Sequence, residues 1–236
     1  MNFRLSPRLS FYAMITFLVL VRIKRRKEAS NVINPDAEKY RDALSLGWEQ
    51  LSRKNPVEVV ERGHVEYEAN SEVYQVEMLN SRYTVDLRKR KVIQQPSAIP
   101  VRPVYAILII HYLVNVKRTE ITGELLTLKS PKIGGSAYYG AFLQRAIKPL
   151  AKRFGNNSEE LLQAGKKFGA RSLDTGDASI ELLVFPKIPL TVIIYEGEEG
   201  IPGGANILYD QSASDHLHPE DLAVIGELVA HKLIKE

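Results

Sequence analysis

A chain of 236 residues, 44% hydrophobic and 25% charged, carries enough apolar surface for one sizeable core and needs no covalent staple. The absence of cysteine excludes disulfides, thiolate nucleophiles, zinc ribbons and any iron–sulfur cluster held by this chain's own thiolates. The net charge of +4 sits in the first 27 residues, where Arg4, Arg8, Arg22, Lys24, Arg25, Arg26 and Lys27 meet no acid, contribute +7 and leave −3 for the rest. Nothing therefore supports a basic groove tracking phosphates, and no nucleic-acid partner is expected.

Residues 1–33 read as a basic-apolar leader. Its apolar run from Leu9 to Val21 spans about 20 Å as a helix, against about 30 Å for a hydrocarbon core. The basic cluster that follows, without a small-x-small cleavage site, argues against secretion. A membrane-surface anchor, a short signal anchor and an upstream extension from a misplaced start remain, the last preferred. The expectation is a cytoplasmic protein, tethered to the inner face of the membrane only if the leader is real.

Residues 34–236 read as a single α+β domain. Asn34-Pro35-Asp36 is a helix start, and Tyr40, Leu44, Trp48 and Leu51 place one apolar stripe on the core side. Trp48 is read as a core anchor rather than a stacking ring. Asn55-Pro56 opens a second helix, for which Gly63 is the stop. From His64 to Gln94 the apolar period becomes two, which predicts an antiparallel meander turning at Asn80-Ser81. Arg88 to Lys91 is a solvated basic turn.

Pro103 to Val116 is apolar nearly all round and reads as a buried helix. It carries His111 and Tyr112; a buried imidazole is first a satisfied core histidine and otherwise a ligand or proton carrier. Ile133-Gly-Gly-Ser136 is taken as a cap, and a helix from Ser136 to Gly155 with a break near Pro149 follows. Asn157-Ser-Glu-Glu160 resembles a capping box opening a helix that stops at Gly169. Strands are predicted at Ala178–Phe185, Leu190–Tyr195 and Asn206–Tyr209, then a helix from Pro219 with its buried stripe at Leu222, Ile225, Val229 and Leu233. The fold class is thus α+β: a meander and a C-terminal mixed or antiparallel sheet, packed with about five or six helices.

Phosphate loops, dinucleotide fingerprints, nucleophile elbows and paired-histidine zinc helices are all missing from this sequence. Carboxylates gather around the C-terminal strands, including Asp177, Glu196 and Asp210, as hard cations or acid–base pairs require and as solvated loops also show. Asp215-His-Leu-His218 places His216 and His218 where both face one side of an extended segment, a weak metal pair beside Asp215. A turn-and-cap role for His218 before Pro219 competes with it. A third ligand would come from Asp177, Asp210 or His111.

Leu108-Ile-Ile-His-Tyr-Leu113, Thr122-Gly-Glu124, Arg153-Phe-Gly155, Thr175-Gly-Asp-Ala178, Pro186-Lys-Ile-Pro-Leu190, Glu196-Gly197, Ala205 to Asp210, Ser212-Ala-Ser214 and Glu220-Asp-Leu222 together resemble the bacterial and archaeal family called domain of unknown function 3786. The likeness runs in order over about residues 36–236. The resemblance implies no established activity; its members occur largely in anaerobes, some fused to a cysteine-rich iron–sulfur domain, and this chain lacks the cysteines for such a cluster. Asp215 to His218 departs from the family's histidine-aromatic-leucine-proline run. The first expectation is a non-catalytic ligand-binding or accessory protein of anaerobic redox or cofactor metabolism, with an unidentified small-molecule or protein partner and cofactor. Its pocket would lie between the His111 helix and the C-terminal sheet, with His111, Tyr112, Asp177, Glu196 and Asp210 as ligand-binding candidates. The alternative is a metal-dependent hydrolase or lyase using carboxylates and histidines.

Overall fold

A computed structural model describes residues 40–236; the leader and the helix start at Asn34-Pro35 lie outside the described residues. Helix α1 (Arg41–Ser52) buries Trp48 and Leu51, as their spacing requires. Helix α2 (Pro56–Gly63) is capped by Asn55, whose side chain accepts from the Val57 amide. The left-handed residue that ends it is His64, with φ 50°, not the expected Gly63. Gly63 instead gives room: a Cβ there would press on Val116 at 3.3 Å.

The meander is β1 (Glu66–Glu68), β2 (Val73–Met78), β3 (Ser81–Asp86), β4 (Lys91–Gln94) and β5 (Ile99–Pro100), all antiparallel in sequence order. Met78 pairs with Ser81, so the tight turn is Leu79-Asn80, one residue earlier than expected. Both turn residues have positive φ, 49° and 55°, the backbone twist that a two-residue hairpin prefers. An apolar residue stands there because it is buried at 4% exposure and its amide donates to the Val184 carbonyl at 3.1 Å. Tertiary packing overrides turn propensity at this corner.

Helix α3 (Pro103–Asn115) buries Ile107 to Ile110 and Tyr112 to Val114. Beyond it, residues 117–124 form an irregular strap leading to β6 (Leu125–Thr127). The next helix begins at Tyr139, three residues later than Ser136, whose hydroxyl donates to the Lys129 carbonyl instead of capping. Gly135 lies against Leu128, where a Cβ would clash. The helix runs as α4 (Tyr139–Phe142), a π-helical turn (Leu143–Ile147) and α5 (Lys148–Phe154). The π turn falls just before Pro149, which lacks the N–H an α-helix would use. In α6 (Glu159–Lys166) the capping box does not form: the Ser158 amide donates at 2.6 Å to Glu196 from a distant loop.

The second sheet has the order β6, β10 (Gly204–Asp210), β9 (Ile188–Tyr195), β8 (Ala178–Phe185), β7 (Arg171–Leu173), again antiparallel throughout. The central β9 begins two residues before the expected Leu190 and contains Pro189, tolerated where the register with β8 shifts between Leu183 and Phe185. One sheet face is covered by α5, α6, the one-turn α7 (Ala213–His216) and α8 (Pro219–Ile234). Each fully buried Ile, Leu or Val of that layer contributes roughly 1.5–3 kcal/mol. Residues 42–236 form one compact unit. Among the described residues no helix is long and apolar enough to cross a membrane.

Candidate functional site: an inter-sheet groove and its polar knots

Where the hairpin tip of the meander meets the free end of β8, the two sheets leave a groove of about 530 Å³. β8 extends beyond Glu181, its last residue paired with β7. Leu79, Leu183, Phe185 and Phe168 supply an apolar lining, and His64, Asn80 and the Arg171–Glu181 ion pair (3.0 Å) supply polar groups. Tyr112 backs the groove, stacked flat on Phe185 with centroids 4.4 Å apart while its hydroxyl donates to the Gly63 carbonyl at 2.9 Å. Burial raises the Tyr112 pKa, so it is a neutral structural phenol. α3, the helix of His111, meets the groove residue Phe185 through Tyr112. A smaller cavity of about 280 Å³ lies at the start of α3, beside Tyr83, Tyr105 and Lys232.

His111 faces α8. Its Nδ1 lies 3.0 Å from both carboxylate oxygens of Asp221. A carboxylate only accepts, so Nδ1 carries the proton and Nε2 is left for another partner. Asp221 is buried at 7% exposure in the first turn of α8, where helix polarity favours an anion. It was not among the candidates read from the sequence, where it shows only as a helix-start acid, 110 residues from His111.

Asp210 is fully buried at the end of β10. The Thr122 amide and hydroxyl, the Gly123 amide and the Ser212 amide and hydroxyl all donate to its carboxylate, at 2.6–3.1 Å. Burial raises its pKa, but the Ser212 and Thr122 hydrogen bonds outweigh this and hold it below the ordinary aspartate value. Its oxygens are saturated by protein donors, which leaves it no lone pair suited to a metal or to base work. Asp177, exposed, accepts from the Glu196 amide at 2.7 Å. Glu196 in turn caps α6 through Ser158, whose hydrogen bond lowers its pKa.

The proposed metal pair is separated by local structure. His216 ends α7, with its ring fully buried and its Nδ1 accepting from the Lys117 amide at 3.2 Å. His218 is exposed and caps α8, its Nδ1 accepting from the Glu220 amide. Asp215 faces Lys117 at 3.6 Å. His216 is the last residue of α7 whereas Leu217 and His218 are extended, so the two histidines do not share one extended segment, and one ring is buried while the other is exposed. Among the described residues no three carboxylate or histidine side chains stand together as a metal site.

Lys187, in the turn between β8 and β9, is a cation with no warning in the local sequence. Its side chain is only 2% exposed. Its ammonium donates to the Arg118 and Thr119 carbonyls, both at 3.3 Å, and to Glu120 at 2.7 Å.

A family model described as domain of unknown function (DUF3786) matches residues 55–232. The chain belongs to the DUF3786 family. No curated protein and no solved structure shows significant similarity to it. In this DUF3786 domain the segments that carried the resemblance touch one another in pairs. Thr122-Gly123, Asp210 and Ser212 form one knot, and His111 meets Asp221. Asp177 meets Glu196, and the Gly197 amide donates to the Gly155 carbonyl. Three of these DUF3786 pairings tie strands of the C-terminal sheet, or the loops that leave them, to neighbouring elements; the His111–Asp221 pair joins two helices.

Proposed function

We propose that this protein is a non-catalytic ligand-binding or accessory protein whose small-molecule site is the groove between the two sheets. The observation that carries the reading is the groove itself, about 530 Å³ with an apolar lining and a few polar groups at its rim, the usual make-up of a small-molecule pocket. Its Leu183 is 53% exposed on a strand whose other apolar residues are buried, an apolar side chain offered to a ligand rather than to the core. A role in anaerobic redox or cofactor metabolism rests on the family resemblance. The hydrolase or lyase alternative loses support because Asp210 is saturated, Asp177 and His216 are engaged by backbone amides, and His218 is a helix cap.

Native mass spectrometry and an absorption spectrum of the chain purified without oxygen test this. One equivalent of a retained small molecule is expected, absent from Leu183→Arg, which fills the groove at an exposed position without disturbing the core. Identical spectra for the two proteins, with no retained molecule, would overturn the proposal.

A further inference from the structure

A lysine in a hairpin turn ordinarily extends into water, because its ammonium is strongly hydrated. Lys187 points inward, under the strap, and its anionic partner is Glu120, whose side chain is 71% exposed. The other two acceptors are backbone carbonyls at the long distance of 3.3 Å. A buried cation is thus neutralised by a carboxylate held on an irregular surface segment.

Beside this cation is His216, 0% exposed. Its Nδ1 accepts from the Lys117 amide, so the proton of the neutral ring is on Nε2. That N–H has no partner in hydrogen-bonding geometry among the described residues; the Thr119 carbonyl lies near enough to act on the ring but does not complete a hydrogen bond. Buried donors in folded proteins are nearly always satisfied, and one that is not calls for a specific explanation. Lys187 and Glu120 are both close enough to the imidazole to act on it electrostatically, and burial together with the Lys187 charge keeps the ring neutral near pH 7.

We infer that Lys187 and His216 form a binding site for a small oxyanion, a phosphate or carboxylate group, which Glu120 occupies with its own carboxylate when the site is free. An incoming anion takes the place of the Glu120 side chain on the Lys187 ammonium and supplies the acceptor that His216 Nε2–H lacks. Glu120 swings outward, which costs little because it is already mostly in solvent. The site goes beyond the groove reading and does not depend on it, although Phe185 and Pro186, which precede Lys187 in the chain, line the groove.

The test uses the full chain and inorganic phosphate as probe, at low ionic strength. Glu120→Gln removes the internal competitor and leaves the buried donors in place, so it binds one phosphate at least tenfold more tightly than the unaltered protein in calorimetric titration. Glu199→Gln, the same charge change in a distant exposed loop, gives no tightening. In Glu120→Gln the His216 Nε2 nitrogen resonance shifts on phosphate addition. Lys187→Met abolishes binding; because that variant also loosens the strap, the two surface variants are the deciding comparison. Equal affinity of Glu120→Gln and Glu199→Gln, no measurable binding by Glu120→Gln, or binding without a His216 shift overturns the inference.

Discussion

At Asp210 five donors converge on one buried carboxylate, and the same side chain read from the sequence as a metal ligand or base is a structural anion. Its folded pKa lies below the ordinary 3.8, so below that value the unfolded chain binds more protons than the folded one. Its contribution is fully present above about pH 4 and is lost as pH falls through the folded value. His216 has the same sign for a different reason: burial, then Lys187, lowers its pKa below 6.5. Its contribution is present above pH 6.5 and declines as pH falls through the folded value. Urea unfolding measured across pH should show stability declining first below about 6.5 and again below about 4. Asp210→Asn is expected to cost about 3 kcal/mol near pH 7, because buried donors lose a charged acceptor, and to flatten the lower decline. Wild-type stability for Asp210→Asn at neutral pH would contradict the knot.

Helices and strands were legible wherever one side chain period held over several turns or pleats. The buried stripe of α8, the apolar α3 and the long strand β8 appear where their patterns placed them, and of the α1 stripe Trp48 and Leu51 are buried while Tyr40 and Leu44 are half-buried. The misses are corners: Leu79 and His64 in left-handed backbone, and the cap of α6 supplied by Glu196. At Leu79 and at the α6 cap the choice is made by residues far away in sequence, Val184 and Glu196, so no local window contains it. The site was legible in its residue types but not in its partners. Asp221 reads as a helix-start acid and Lys187 as a solvated turn lysine until α3 and the strap are laid against them. Glycine packing gives an element-level test. In α8 a Cβ on Gly226 would drive into Phe142 and the Tyr209 hydroxyl, which donates to the Leu222 carbonyl at 2.7 Å. Gly140 in α4 faces open space. Gly226→Ala should therefore destabilise by about 1–3 kcal/mol, and Gly140→Ala should stabilise by about 0.5–1 kcal/mol. Thermal melts of the two variants check the opposite signs.

The two sheets share no strand. They are joined by the Leu79 amide to Val184, by the stack of Tyr112 on Phe185, and by α3 between its partners. The residues that make these contacts, Leu79, Tyr112, Val184 and Phe185, are buried beside the open groove, and the two halves are expected to unfold as one unit. Trp48, the one tryptophan of the chain, reports on α1, and far-ultraviolet dichroism reports on both sheets and the helices. The two probes should give coincident denaturation curves. Phe185→Ala, expected to cost about 3–5 kcal/mol, should move both midpoints together; separated curves would show that the sheets unfold independently.

The strap at residues 117–124 adds a consequence in the time domain of biosynthesis. Its fasteners, Lys187, Asp210 and His216, lie 67 to 99 positions further along the chain. The strand that continues it, β6, has β10 as its neighbour in the sheet. A nascent chain can therefore finish the meander from local contacts soon after β5 leaves the ribosome. The strap that follows α3 waits, unfastened, until β10 and α7 have also emerged. The strap's contacts to Lys187, Asp210 and His216 therefore belong to the late, long-range part of the chain's assembly, whereas the Asp177–Glu196 contact spans only 19 positions.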